Sequence, residues 1–148
     1  MFAPVNVVIG GASGMGRSIA QVLAGRGELI VADINEVAAT DVAREIGAKA
    51  AQCDLLDKAS VDALVAKTRR LGILVVTAGL SPSMGDGIRI FNVNLPGMAY
   101  VLDACERILC ADSVAVCFAS IAGHIFVPTD SHVLKLIDDP LSPTIVQD

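Results

Sequence analysis

Residues 7–16 read VVIGGASGMG, an apolar run that breaks into four glycines. The wider stretch VNVVIG (5–10) has the character of a buried strand. GMGRSIAQVLAGRG (14–27) has the spacing of a helix that ends at glycine. The glycines therefore lie where a strand hands over to a helix. A helix N-terminus offers unpaired N–H groups and the positive end of the helix dipole, which suit a pyrophosphate. Glycine lets the backbone turn sharply there and approach phosphates with no Cβ in the way. The spacing is G-x-x-x-G-x-G through Gly10, Gly14 and Gly16; G-x-G-x-x-G fails, because from Gly14 its third glycine would fall on Ile19. A tight turn with glycine for packing alone is the competing explanation, and the strand-to-helix position favours nucleotide binding. Gly10, Ser13, Gly14, Met15 and Gly16 are the expected phosphate cradle.

Outward from this turn, short apolar runs alternate with longer amphipathic ones. ELIVADI (28–34) predicts a second strand. NEVAATDVAREIG (35–47) predicts a helix with Asn35 as N-cap and Gly47 as its stop. AKAAQCD (48–54) is a third strand, followed by a helix over 57–71 whose Val61, Leu64, Val65 and Leu71 suit one buried face. GILVVTAG (72–79) is the fourth strand, SPSMGDG a loop, 88–110 one long helix, and SVAVCFAS (113–120) a fifth strand. Strand and helix in this alternation give right-handed crossovers and a parallel sheet covered on both faces. The predicted fold is α/β, a Rossmann-type doubly wound sheet in three layers, incomplete at its C-terminal side. One domain spans 1–148, with a nucleotide-binding core over 1–123 and the start of a substrate-side insert or lid over 124–148.

Composition narrows the function classes. Of 148 residues 53% are apolar but only 3% aromatic, with Tyr100 the single tyrosine; this suits helices packed closely on a buried parallel sheet. A net charge of −5 and pI near 4.8 leave no basic stripe to neutralise phosphates, so nucleic acid is excluded as a partner. No segment reaches the roughly 18 apolar residues of a membrane span, and no membrane partner is expected. Cys53, Cys105, Cys110 and Cys117 form no C-x-x-C pair and are read as core thiols of a reducing cytoplasm. His124 and His132 lie outside any helical ligand spacing, so no metal is expected.

Asp33 closes the second strand, 17 residues after Gly16 (33 − 16). A carboxylate there can accept both ribose hydroxyls of an adenosine and would repel a 2′-phosphate. Neither Ile34 nor Asn35 after it is basic, and Ser13 before Gly14 is not basic either. The expected cofactor is NAD rather than NADP, with Asp33 and Ile34 at the adenosine ribose. An acidic neighbour to the next helix is the plainer reading of Asp33.

Taken together, these residues resemble the short-chain dehydrogenase/reductase family over nearly the whole chain. CDLLD (53–57) matches its acidic motif after strand three, which implies Asp54 at the adenine amino group and Leu55 beside the ring, leaving Asp57 to cap the next helix. VTAG (76–79) stands where the family has N-N-A-G. Thr77 replaces the second Asn, while Ala78 and Gly79 keep the close approach to the ribose. FNVNLPG (91–97) resembles the helix whose Asn holds a water in the family's proton relay; by register this is Asn94, with Asn92 structural. CFASIAGHIF matches the end of strand five, which implies that Ser120 hydrogen-bonds the substrate oxygen.

The resemblance implies hydride transfer between nicotinamide and an alcohol or carbonyl, with the proton taken by a Tyr whose pKa is lowered by Lys in Y-x-x-x-K. The chain carries no such motif. Tyr100 precedes Ser120 and has Ala104 four residues on, and Ser131 with Lys135 is no substitute, because an alkyl alcohol is too weak an acid. The expectation is that Tyr and Lys lie beyond residue 148, after an insert of the kind carried by bacterial hydroxysteroid dehydrogenase/carbonyl reductase-like members. HIFVP, HVLKLI and the apolar restart TIVQ (144–147) would belong to that insert. Further strands would follow the fifth, and the 148 residues alone are expected to be inactive. A non-catalytic dinucleotide-binding, redox-sensing module is the alternative. Reductases or epimerases of the extended branch fit Asn94 and SIAG less well. The insert's apolar character suggests a hydrophobic, steroid-like alcohol or ketone, and the family implies a homodimer or homotetramer built on the 88–110 helix.

Overall fold

The computed structural model describes residues 3–125 and 128–142. β1 (Val5–Ile9) lies at the centre of a five-stranded sheet because every one of its residues is buried. It pairs in parallel with β2 (Glu28–Asp33) on one side and β4 (Leu71–Val76) on the other. β3 (Lys49–Gln52) flanks β2 and β5 (Val114–Cys117) flanks β4, giving the order β3-β2-β1-β4-β5, all parallel.

The alternation of side chains along β1 divides the core into two layers. Val8, with Val31 and Val75, faces α1 (Gly14–Leu23) and α2 (Glu36–Ile46) through Ala20, Leu23, Ala39 and Val42. Val7 and Ile9, with Leu74 and Val76, face α3 (Lys58–Thr68) and α5 (Met98–Glu106) through Val61, Leu64, Val101 and Ala104. The α/β/α sandwich expected from the sequence is thus present. Asn6 is the exception in the apolar run. Its Oδ1 accepts from Ile73 N–H at 3.0 Å and its Nδ2 donates to Arg26 O at 3.3 Å, where the β1–β4 register shifts.

Local signals placed the caps. Asn35 Oδ1 accepts from Ala38 N–H, α2 ends at Gly47 in the left-handed region, and Asp57 caps α3 by accepting from Ala59 N–H. Boundaries moved where tertiary packing intervened. α1 stops at Leu23 because Gly25 and Gly27 turn the chain with positive φ. α3 stops at Thr68, and Leu71 is the first residue of β4 rather than part of the helix face.

The single helix expected over 88–110 is three pieces, a correction with a clear cause. α4 (Gly87–Asn92) widens into a π turn over Val93–Gly97 before α5 begins. Pro96 has no N–H and its ring crowds the carbonyl four residues back, so the ladder opens at that point. The SPSMGDG loop likewise holds a 3₁₀ turn, Pro82–Met84.

β5 is shorter than the expected 113–120, and all four of its residues are exposed, with Val114 at 52% and Val116 at 44%. Among the described residues it has one strand neighbour, β4. Beyond it come α6 (Ala122–Ile125) and α7 (Ser131–Asp138), the latter capped by Asp130. The expected 124–148 insert is helical in these two places, and its TIVQ stretch lies outside the described residues.

The two-layer packing has a measurable consequence. Leu74→Ala should cost about 2–5 kcal/mol in urea unfolding, because it opens a cavity against α3 and α5. Val114→Ala should stay within about 0.5 kcal/mol. Equal losses for the two would contradict the core described here.

Candidate functional site

The sheet order reverses at β1, whose neighbours β2 and β4 run off in opposite directions. In open α/β sheets the crevice at the carboxyl ends of such strands is where ligands bind. A cleft of about 320 Å³ lies there, lined by Gly10, Ser13, Gly14, Met15, Gly16, Asp33, Ile34, Asp54, Leu55, Ala78 and Gly79. All the residues singled out from the sequence for a cofactor therefore share one wall-to-wall surface.

The glycines are there for reasons of space. Gly10 has φ +83°, and a Cβ on it would stand 2.6 Å from Ala78 N. A Cβ on Gly16 would overlap the Gly10 carbonyl and lie 2.6 Å from Thr77 Oγ1. The loop is thus pressed onto the end of β4, and Thr77 fastens it: its hydroxyl lies 3.2 Å from both Ile9 O and Gly10 O. Ser13 stands at the N-cap of α1 with extended backbone and makes no side-chain cap bond. The first N–H groups of the helix are left to face the cleft without a protein acceptor from that residue.

Asp33 braces the loop from the other side. Ala12 N–H donates to its Oδ2 at 3.1 Å and Asn35 N–H to its Oδ1 at 3.0 Å. It is therefore more than an acidic neighbour to α2. Each oxygen keeps a lone pair that can accept from a hydroxyl. Asp54 accepts from Leu56 N–H at 2.9 Å, while its own N–H donates to Ser60 Oγ.

The two residues assigned to catalysis by resemblance do not line the cleft. Asn94, in the π turn, gives both ends of its amide to one residue: Leu80 N–H donates to Oδ1 and Nδ2 donates to Leu80 O, each at 2.8 Å. It clamps the loop after β4 that carries Ala78 and Gly79. Ser120 is exposed after β5 and its Oγ accepts from Ala122 N–H at 3.1 Å.

Tyr100 is turned away from this chemistry. Its hydroxyl donates to Asp62 Oδ2 at 3.0 Å, and Lys58 Nζ lies 4.9 Å from the ring centroid. The bond to Asp62 holds the phenol above its ordinary pKa, the opposite of what a proton acceptor needs.

Five lining residues escaped the sequence reading: Cys53, Thr77, Leu80, Arg89 and Val93. Cys53 and Leu80 adjoin recognised motifs, and Arg89 is one helical turn before Val93. Only the helix register could have signalled Arg89, since α4 comes from far along the chain. The cysteines are also not uniformly core thiols. Cys53 and Cys105 are buried, but Cys110 is half-buried and Cys117 exposed on the edge strand; all four are free. Burial, followed by the charge of Asp54, pushes the Cys53 thiol up to about 12, and burial raises Cys105 to about 11. Among the described residues no His, Cys, Asp or Glu cluster could hold a metal, and no helix is long and apolar enough to cross a membrane.

A family model described as enoyl-(acyl carrier protein) reductase matches residues 10–135. No curated protein sequence matches the chain. A solved structure described as ribose-5-phosphate isomerase from Brucella melitensis 16M is 32% identical, with 82% of this chain and 53% of that one covered and a TM-score of 0.71. BdcA in complex with NADPH is 23% identical (86% and 56% covered, TM-score 0.73). A 7α-hydroxysteroid dehydrogenase complexed with NADH and 7-oxo glycochenodeoxycholic acid is 24% identical (82% and 55% covered, TM-score 0.72). The last two speak for the fold alone, and the chain spans about half the length of the structures it matches. With a family model covering most of its residues and this Rossmann-type sheet behind the glycine cleft, the chain belongs to the short-chain dehydrogenase/reductase family.

Proposed function

We propose that this chain is the nucleotide-binding part of an NAD-dependent oxidoreductase acting on an alcohol or carbonyl compound. The observation that carries the reading is the Asp33 carboxylate in the same cleft as the Gly10–Gly16 loop. The residues fit a dinucleotide. Gly10 and Gly16 leave a cradle that a Cβ would fill, and the α1 N-terminus supplies N–H donors. When bound, the nicotinamide would accept or donate the hydride.

The rest of the work falls to protein groups. Thr77 and Asp33 hold the loop rigid from opposite sides, so its N–H groups need no reorganisation when they meet phosphate. Asp33 receives the ribose hydroxyls and disfavours a 2′-phosphate by charge. Asp54 and Leu55 border the adenine end, and Ala78 and Gly79 the ribose. Ser120 is assigned the substrate oxygen and Asn94 the relay water. Proton transfer itself is assigned to a Tyr-x-x-x-Lys pair outside these 148 residues. In this reading the substrate is a hydrophobic alcohol or ketone, the protein is a cytoplasmic homodimer or homotetramer, and 124–148 begins a lid.

A second reading, a module that binds the dinucleotide without turning it over, is favoured by Ser120 lying off the cleft lining.

Titration of the chain with NADH, followed by cofactor emission, should show saturation below millimolar concentration and weaker binding of NADPH; no binding at millimolar NADH would sink the nucleotide reading. Asp33→Ala should weaken NADH by roughly ten-fold or more, since hydrogen bonds to a charged group are lost. Gly16→Ala should abolish binding and cost about 1–3 kcal/mol of stability through overpacking on the Gly10 carbonyl. Normal NADH affinity in that variant would show the loop is not the cradle.

A further inference from the structure

The cleft wall carries two carboxylates, Asp33 and Asp54, yet a dinucleotide brings a doubly charged diphosphate into it. Among the described residues Arg89 is the one cation that lines the cleft. It reaches the wall from α4, one turn before the buried Val93, and Val93 is itself part of the lining. Helical residues four apart share a face, so the Arg89 side chain lies on the cleft side of α4.

Two features hold Arg89 in place while leaving its head group uncommitted. Its backbone N–H donates to Asp86 Oδ1 at 3.0 Å, the N-cap bond of α4, which any side chain at this position would keep. Its guanidinium has no hydrogen-bond or ion-pair partner among the described residues. Arg17, the basic residue nearest the glycine loop in sequence, is by contrast taken by Glu45 at 2.7 Å. Behind Arg89, the bonds from Asn94 to Leu80 tie the helix to the cleft wall, so the approach of α4 to the cleft is fixed.

We propose that Arg89 is a phosphate-pairing side chain of this cleft, engaging a phosphate of the bound dinucleotide. The inference rests on the nucleotide-binding reading above and adds a charge to it that neither the glycine loop nor Asp33 provides. A guanidinium offers a planar fork that matches phosphate oxygens, and the charge-assisted bonds it makes are stronger than neutral ones. The phosphate is either the diphosphate bridge, shared by both nicotinamide dinucleotides, or the 2′-phosphate of NADPH alone.

The test is titration of the chain and of its Arg89→Ala and Arg89→Lys variants with NADH and with NADPH at low and high salt. Arg89→Ala should weaken binding by about 5- to 10-fold, a loss in the range of a charge-assisted hydrogen bond. The loss should shrink at high salt, as screening removes the attraction that the variant lacks. Equal loss for both cofactors identifies the diphosphate; loss confined to NADPH identifies the 2′-phosphate. Arg89→Lys should recover most of the affinity, since an ammonium also serves phosphate. Less than two-fold loss for both cofactors, or equal loss in the Ala and Lys variants at all salt concentrations, overturns the proposal. Far-UV circular dichroism melts should match the parent chain, because the side chain is exposed and the cap bond is retained. If the parent chain binds neither cofactor, the nucleotide reading itself fails; if it binds NADH and Arg89→Ala binds equally well, only this inference does.

Discussion

The approach of Gly16 to the Gly10 carbonyl governs everything else in this cleft. It brings the first turn of α1 onto the end of β1 at a separation that a methyl group would prevent, and Thr77 closes the contact from β4. The consecutive elements β1 and α1 thereby meet β4, which lies far along the chain, at one point. The β1–β4 pairing that places Thr77 there depends in turn on Asn6, which satisfies the shifted ladder with its own side chain. A buried polar group so far from the cleft is thus part of what aligns it.

Polar side chains that a reader of the sequence assigns to ligands turn out to serve the protein first. Asp33 accepts two backbone N–H groups, Asp54 one, and Asn94 spends both ends of its amide on Leu80. Acceptors with two lone pairs per oxygen can do both jobs, so bracing and recognition are compatible in a carboxylate. The amide of Asn94 has less to spare. Its visible contribution is to hold the β4 loop against the π turn. The same turn lets Gly97 approach the backbone of Leu55, and so ties the segment after β3 to the helix that follows the β4 loop.

How much of this was legible beforehand follows from the range of the forces involved. Asn35, Gly47 and Asp57 act within one turn, and their caps were readable from neighbours alone. The parallel, two-faced sheet followed from the alternation of elements, because right-handed crossovers leave few topologies. Pro96 was visible in a helical stretch and marked where the ladder must open, but the close seat of Gly97 on Leu55 that accompanies the π turn is a long-range contact no local pattern encodes. Arg89 was invisible for the same reason: no base stands next to Asp33 or Ser13 in the sequence, and the one in the cleft arrives on α4. Leu71 was placed on the helix face, when it is the strand below that needs it.

Cys53 gives the cleft a built-in clock. Its thiol sits at the floor beside Asp54, almost wholly shielded and held neutral by burial. A thiol in that state reacts with an alkylating reagent only while the wall above it is parted, and only through the small thiolate fraction present at that moment. Cys117, on the exposed edge strand, carries no such gate. Labelling of Cys53 should therefore lag behind that of Cys117, and the lag reports how seldom the packing around the buried thiol opens.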